Sequence, residues 1–319
     1  MSRWLALFRR VELSEITLWQ DGEAARHCEN WLQYNHDWSI RRAGKFHSTS
    51  NTGSGQSVQV ISVFNHAGGV AKTSTVRDIG FVLADLGHKV LLIDLDPQAN
   101  LTNWLGIDDD IDLSETVYPA IIPVDGEDIE DLRLPAPRTV HGMDIIPATL
   151  RLASLEREII SIVMGVLRLR QAVRKLSGYD FVLIDSPPSL GQLSALAVVA
   201  ADRVIVPVPT NRKGLDGVPT VIRMVREYRS AAPNLKIALF VLTQHDRRTR
   251  HDRDSLQVIK SEFPAIAPVS TPLNSRPAIY NDTQLRGVPV PLHAPGSEAD
   301  IEIRKVTNEL LAALKADHS

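Results

Sequence analysis

The 319-residue chain is 44% hydrophobic and 23% charged, an ordinary globular composition with ample apolar material for a buried core. Its net charge of −3 excludes nucleic-acid binding spread over the whole surface, so any such contact must come from a local patch. The single cysteine, Cys28, excludes an intramolecular disulfide and a Cys/His zinc cluster and fits a reducing compartment; no run of about 18 apolar residues exists to span a bilayer.

Along the chain, Met1–Arg10 holds an apolar run of five residues, Trp4–Phe8, too short for a secretory signal. Trp4, Leu5, Leu7, Phe8 and Val11 fall at helical spacing, which reads as a short helix docked on protein, with an interfacial anchor as the alternative. Residues 1–46 carry Trp4, Trp19, Trp31 and Trp38 and form an N-terminal extension of unassigned role. Within it, Glu15–Gln20 and Asp37–Arg42 read as strands and Gly22–Gln33 as a helix. Residues 47–57, HSTSNTGSGQS, are polar and rich in Gly and Ser, and read as a flexible linker.

A main domain follows over residues 58–319. Val58–Phe64, Lys89–Asp94, Phe181–Asp185, Arg203–Pro207 and Lys236–Thr243 are continuous short apolar runs, the pattern of strands buried on both faces. Helical patterns lie at Ser74–Leu86, Arg151–Leu176, Leu215–Arg229, Asp252–Phe263 and Ile301–Lys315. The alternation predicts an α/β fold: a doubly wound, mostly parallel sheet flanked by helices. The acidic stretch Asp108–Arg138 reads as a surface excursion. Ligands of such sheets bind beyond the carboxyl ends of the strands, which points to residues 65–74, 94–100, 185–191 and 207–214.

Directly after the first run stands Asn65-His66-Ala67-Gly68-Gly69-Val70-Ala71-Lys72-Thr73-Ser74. Strand, glycine-bearing loop, Lys-Thr and helix are the parts of a phosphate cradle, in which backbone N–H groups and the helix N-terminus face the oxygens. A glycine-rich βα turn is the plainer reading of that loop alone. Two further strand ends weaken it: Asp94-Leu95-Asp96-Pro97-Gln98 and Asp185-Ser186-Pro187-Pro188 bring carboxylates to the same edge, where they can serve Mg²⁺ and orient water.

These motifs resemble those of the deviant-Walker-A (ParA/MinD) P-loop ATPases, and the ParA-like members most. The resemblance spans roughly residues 58–316 and continues through Pro207-Val208-Pro209-Thr210, Asp246–Arg250 and Gly287–Val290. It implies ATP and Mg²⁺ as cofactors and a homodimer closed by ATP. Gly68, Gly69, Val70, Ala71 and Ser74 would cradle the phosphates, Lys72 would bind them, and Thr73 would ligate Mg²⁺. Asp185 would hold the metal's water shell, Asp94 would support metal or loop, Asp96 would orient the attacking water, and Asn274 would meet adenine. The family's signature lysine is replaced by Ala67. Slow hydrolysis, compensation by Arg212 or Lys213, and nucleotide binding without turnover are the three outcomes of that loss.

Asp246–Arg253 is the densest basic cluster in the chain. Read alone it is a solvated helix start with interleaved Asp–Arg pairs. The resemblance makes Arg247, Arg248, Arg250 and Arg253, with Arg276, a surface for nonspecific double-stranded DNA. It implies a partitioning ATPase of cytoplasmic, nucleoid-associated location, with a ParB-like centromere-binding partner and no stable membrane association. The alternatives are a DNA-binding adaptor or co-repressor gated by nucleotide, and a MinD-like positioning ATPase. An iron–sulfur carrier of the same fold needs bridging cysteines that this chain lacks.

Overall fold

A computed structural model describes residues 58–107, 110–123 and 132–317. The readings of residues 1–46 and 47–57 therefore lie outside the described residues. Seven strands form one sheet: β1 (Gln59–Val63), β2 (Val90–Asp94), β3 (Arg138–Val140), β4 (Met143–Ile146), β5 (Phe181–Asp185), β6 (Arg203–Pro209) and β7 (Lys236–Thr243). Their order is β3-β4-β2-β5-β1-β6-β7, and every pairing is parallel except β3 with β4. The five apolar runs are the five long parallel strands. All residues of β2, β5 and β6 are buried, the burial that both-sided helix cover demands.

The longer helices are α1 (Lys72–Asp85), α2 (Arg168–Arg174), α3 (Gln192–Ala200), α4 (Arg212–Tyr228), α5 (Arg250–Glu262), α6 (Pro277–Arg286) and α7 (Glu298–Ala316). Ile61, Val63, Leu92, Leu183, Ile205 and Leu239 share one core with residues of α1 and α7. Strand alternation turns Val60, Leu91, Val182, Ile184 and Val204, all buried, to the other face. No described helix is long and apolar enough to cross a membrane.

Three expectations need correction. The stretch Asp108–Arg138 is not merely a surface excursion: Ile111, Val117, Ala120, Ile121 and Leu132 are buried, and Arg138 opens the edge strand β3. β3 and β4 form a hairpin whose turn, His141–Gly142, has positive φ at both residues, the backbone that a tight two-residue turn demands. The helix expected over Arg151–Leu176 is broken into short turns before α2, with Met164 in the left-handed region at φ 57°. α3, buried from Leu193 to Ala200, and the later α6 add two helices that periodicity did not single out.

Candidate nucleotide site

Three strand ends converge. β5 lies between β1 and β2, and the registers align Val63 with Asp185 and Asp94 with Asp185. The chain leaving β1 becomes the glycine loop. Asn65 anchors it, donating from Nδ2 to the Pro207 carbonyl at 2.9 Å and accepting the Ala67 N–H at 3.0 Å. Gly69 and Ala71 both take left-handed backbone, at φ 71° and 70°. For Ala71 that conformation costs roughly 1–2 kcal/mol, so the surrounding contacts must hold it. β7 supplies them: the Thr243 hydroxyl donates to the Val70 carbonyl at 3.1 Å, and Gln244 Nε2 donates to the Gly69 carbonyl at 2.8 Å.

α1 then begins at Lys72 without a side-chain cap and without an acidic residue in its first turn. Its first N–H groups are left for an external acceptor, and the helix dipole favours an anion there. Thr73 and Ser74 follow Lys72 in that turn. Lys72 is only 6% exposed, and its Nζ donates to the Ala67 carbonyl at 3.0 Å. Burial lowers its pKa, while Asp185 and Asp96 pull it back up.

The three carboxylates differ. Asp94 is satisfied: Oδ1 accepts the Asp96 N–H at 3.1 Å, and Oδ2 accepts the Thr102 N–H at 3.0 Å and its hydroxyl at 2.8 Å. Burial nevertheless pushes its pKa to about 7. Asp96 is buried, with Oδ1 accepting the Gln98 N–H at 3.0 Å. Asp185 is fully buried, and neither oxygen has a partner of good hydrogen-bond geometry. Burial, then the neighbouring Asp94, raises its pKa well above the usual range, against weaker help from the Thr73 hydroxyl and the Lys72 charge.

Two orphaned oxygens beside a threonine hydroxyl and a lysine fit a hydrated Mg²⁺, which keeps several waters and takes few protein ligands. Among the described residues no group of three or more His, Cys, Asp or Glu is arranged to hold a metal by itself. Thr73, water and phosphate oxygens would complete the shell.

A cavity of about 430 Å³ leads away from the loop, its wall running from Gly69, Ala71 and Ser74 to Asn274, Arg276 and Tyr280. The volume suits a nucleoside. Asn274 thus lies on the same cavity as the phosphate loop.

The arginines divide. Arg248 and Arg250 are 90% and 89% exposed, and Arg247 is also exposed; Arg248 donates to both Asp246 oxygens at 3.0 and 2.8 Å, whereas Arg250 lies 3.7 Å from Asp254. Arg253 donates to the Arg247 and Arg248 carbonyls at 2.9 and 3.3 Å, bracing the loop before α5. Arg276 does not join this exposed group. It is 18% exposed and held by Glu302 and Glu298 at 2.6 and 2.8 Å in the cavity wall, because α7 brings both carboxylates against it. The side chains of Arg212 and Lys213 lie outside the described residues. Thr243, Gln244 and Glu302 were missed by sequence reading, since no local pattern links them to the loop.

A phosphate loop opening a helix, with aspartates on the adjoining strand ends of a mostly parallel sheet, defines a P-loop nucleoside triphosphatase. A family profile described as an AAA domain matches residues 58–238. A probable plasmid-partitioning protein ParA of Thermus thermophilus is 38% identical over 284 residues, covering 86% of this chain and 85% of the relative. The sporulation initiation inhibitor protein Soj of Bacillus subtilis is 33% identical, covering 77% of this chain and 97% of the relative. A crystal structure of cobyrinic acid a,c-diamide synthase from Mycobacterium smegmatis, with bound ADP and magnesium, is 30% identical. It superposes with a TM-score of 0.65 over 82% of this chain and 96% of that one. The chain belongs to the ParA/Soj family of P-loop ATPases.

Proposed function

We propose that the protein is a DNA-partitioning ATPase whose domain spans residues 58–319, preceded by the 1–46 extension and the 47–57 linker. Mg²⁺·ATP occupies the loop and cavity, a homodimer closes on it, and the closed form binds nonspecific double-stranded DNA in the nucleoid. A ParB-like centromere-binding partner stimulates hydrolysis and release. The names of the relatives support partitioning, and the ADP and magnesium of the solved relative support the cofactors.

The observation that carries this reading is the uncompensated Asp185 carboxylate beside Lys72, Thr73 and the uncapped start of α1. When bound, Mg²⁺ neutralises phosphate charge and orients the leaving group. Lys72 releases the Ala67 carbonyl and turns to the phosphates. Gly68, Gly69, Val70, Ala71 and Ser74 present backbone N–H groups, Thr73 and Asp185 serve the metal's shell, and Asp94 buttresses them. Asp96 holds the attacking water. The exposed Arg247, Arg248, Arg250 and Arg253 meet phosphates of the duplex.

Ala67 favours a second reading, a nucleotide-gated DNA-binding adaptor with little turnover, because an uncharged alanine takes the position of the family's lysine. ATP hydrolysis by the purified chain, with and without nonspecific DNA, separates the two. Slow turnover, raised by DNA and abolished by Lys72→Ala and Asp96→Ala, is expected. Wild-type turnover no higher than that of Lys72→Ala, despite ATP and DNA binding, would establish the adaptor.

A further inference from the structure

Two side chains at the carboxyl end of β7 reach across to the glycine loop. The Thr243 hydroxyl donates to the Val70 carbonyl at 3.1 Å, and Gln244 Nε2 donates to the Gly69 carbonyl at 2.8 Å. A loop that binds an anion must turn its N–H groups to the ligand and its carbonyls elsewhere. No peptide bond among the described residues is cis. In a planar trans peptide, the C=O of one residue and the N–H of the next point in opposite directions. Holding the Gly69 carbonyl therefore fixes the direction of the Val70 N–H, and holding the Val70 carbonyl fixes that of the Ala71 N–H. β1 lies between β5 and β6, with β7 beyond β6. Carbonyls drawn toward β7 thus turn their N–H groups to the opposite side, where β5 ends in Asp185. Among the described residues neither N–H donates to a protein group.

Gln244 reaches the loop through a strained backbone. Its φ of 54° is left-handed, a conformation that costs any residue with a Cβ. The side chain is exposed, so no core packing accounts for it. Its neighbours hold it in place. Thr243 closes β7, and His245 is clamped on three sides. The His245 N–H donates to the Leu273 carbonyl at 3.0 Å, its carbonyl accepts the Ser275 N–H at 2.9 Å, and its ring Nδ1 lies 2.9 Å from the Thr210 hydroxyl. A strained residue between two fixed neighbours, with its amide on the loop, points to a role in the site.

We infer that Gln244 is a positioning residue for the phosphates: by holding the Gly69 carbonyl, it aims the Val70 N–H at a phosphate oxygen. Thr243 does the same for the Ala71 N–H. This rests on the proposal that the loop takes a nucleotide, and names what gives the loop its shape. The N–H groups of Thr73 and Ser74 need no such help, because α1 itself fixes their direction. Phosphate binding is then a joint product of the loop after β1 and the end of β7. Loss of one N–H bond to a charged acceptor weakens binding by about tenfold or more.

The test compares the full chain with Gln244→Met, which keeps the length of the side chain but has no donor. Calorimetric titration with Mg²⁺·ADP is expected to show binding about tenfold weaker in the variant. Amide spectra of isotope-labelled protein supply the reading that a merely structural role would not give. In wild type the Val70, Thr73 and Ser74 amide protons should all move downfield on binding, as N–H groups that gain a charged acceptor do. In Gln244→Met the Val70 shift should be lost while Thr73 and Ser74 keep theirs. Gln244→Gly, which adopts the left-handed backbone without strain, should repeat both results with an unchanged circular dichroism spectrum. If Gln244→Met fails to fold, Gln244→Gly decides by the same two readings. A variant that binds Mg²⁺·ADP within about twofold of wild type overturns the inference. So does weaker binding in which all three amides lose their shifts together, the sign of a damaged loop. Wild type that binds no Mg²⁺·ADP removes the nucleotide reading itself, a different failure from a Gln244 without effect.

Discussion

Asp185→Asn should make the ligand-free protein more stable while removing its response to Mg²⁺·nucleotide. Both Asp185 oxygens are buried without good hydrogen bonds, so the folded chain carries an uncompensated charge whenever the group ionises. Leaving a buried polar group unsatisfied costs about 1–3 kcal/mol, and more for a charge. Asparagine removes the charge at nearly constant volume, and Lys72 keeps the Ala67 carbonyl and Asp96. We expect a gain of about 2 kcal/mol, which for a domain of this size raises Tm by about 4–8 °C.

The pH dependence follows from linkage. Asp185 titrates well above its ordinary 3.8 in the folded state, chiefly through burial. The folded protein thus binds the proton more tightly than the unfolded chain does. The stability this lends is fully present below the unfolded pKa and is lost as pH rises through the folded one. Asp94, pushed to about 7, acts in the same direction. The advantage of Asp185→Asn should therefore be small near pH 4 and large at pH 8. Scanning calorimetry at both pH values, with chelator and then with Mg²⁺·ADP, reads both effects. An asparagine variant no more stable than wild type at pH 8 without ligand would refute the argument.

Thr102→Val strips Asp94 of a hydroxyl donor and the Ala148 N–H of its acceptor at 3.0 Å; urea denaturation should show a loss of about 2–3 kcal/mol, growing above pH 7 as Asp94 ionises. Glu156 caps α3, accepting the Gln192 and Leu193 N–H groups at 2.7 and 2.9 Å, so Glu156→Gln should cost about 1 kcal/mol in the same assay. Removing Arg248 or Arg250 should each lower the salt slope of nonspecific duplex binding by about one, measured by fluorescence anisotropy. Arg276→Ala should leave that slope unchanged, since its guanidinium is held by Glu302 and Glu298.

Strands β1, β2, β5, β6 and β7 were legible because a strand buried on both faces must be apolar at every position. The loop and its three aspartates were legible because each follows a strand directly, so chain order alone brings them to one edge. α3 escaped notice for the opposite reason: its sequence QLSALAVVA is buried from Leu193 onward, leaving no polar face to mark a helical period. The β3–β4 hairpin, which begins where the acidic stretch ends, escaped notice because its strands are short and its turn is carried by His141 rather than by the commoner Asn or Asp. Arg276 reads as one more surface cation until α7 is in place. Glu302 and Asn274 are distant in sequence, and nothing in the spacing of either announces a hydrogen bond that only the packing of α7 creates.

The strand order also divides the molecule by rigidity. The glycine loop and all three aspartates leave β1, β2 and β5, interior strands paired on both sides. The arginine cluster and the cavity wall at Asn274 follow β7, the last strand of the sheet, whose outer edge is covered by an irregular segment, residues 268–275, through bonds such as Ser270 N–H to the Phe240 carbonyl at 2.9 Å and Leu273 N–H to the Leu242 carbonyl at 2.8 Å. Interior strands open only with the whole domain, whereas an edge opens in smaller excursions. Amide exchange should therefore be slowest beneath the phosphates and faster around the arginines. The part that must hold a reacting phosphate still is separated from the part that must adapt to a partner, and Thr243 and Gln244 are where the two meet.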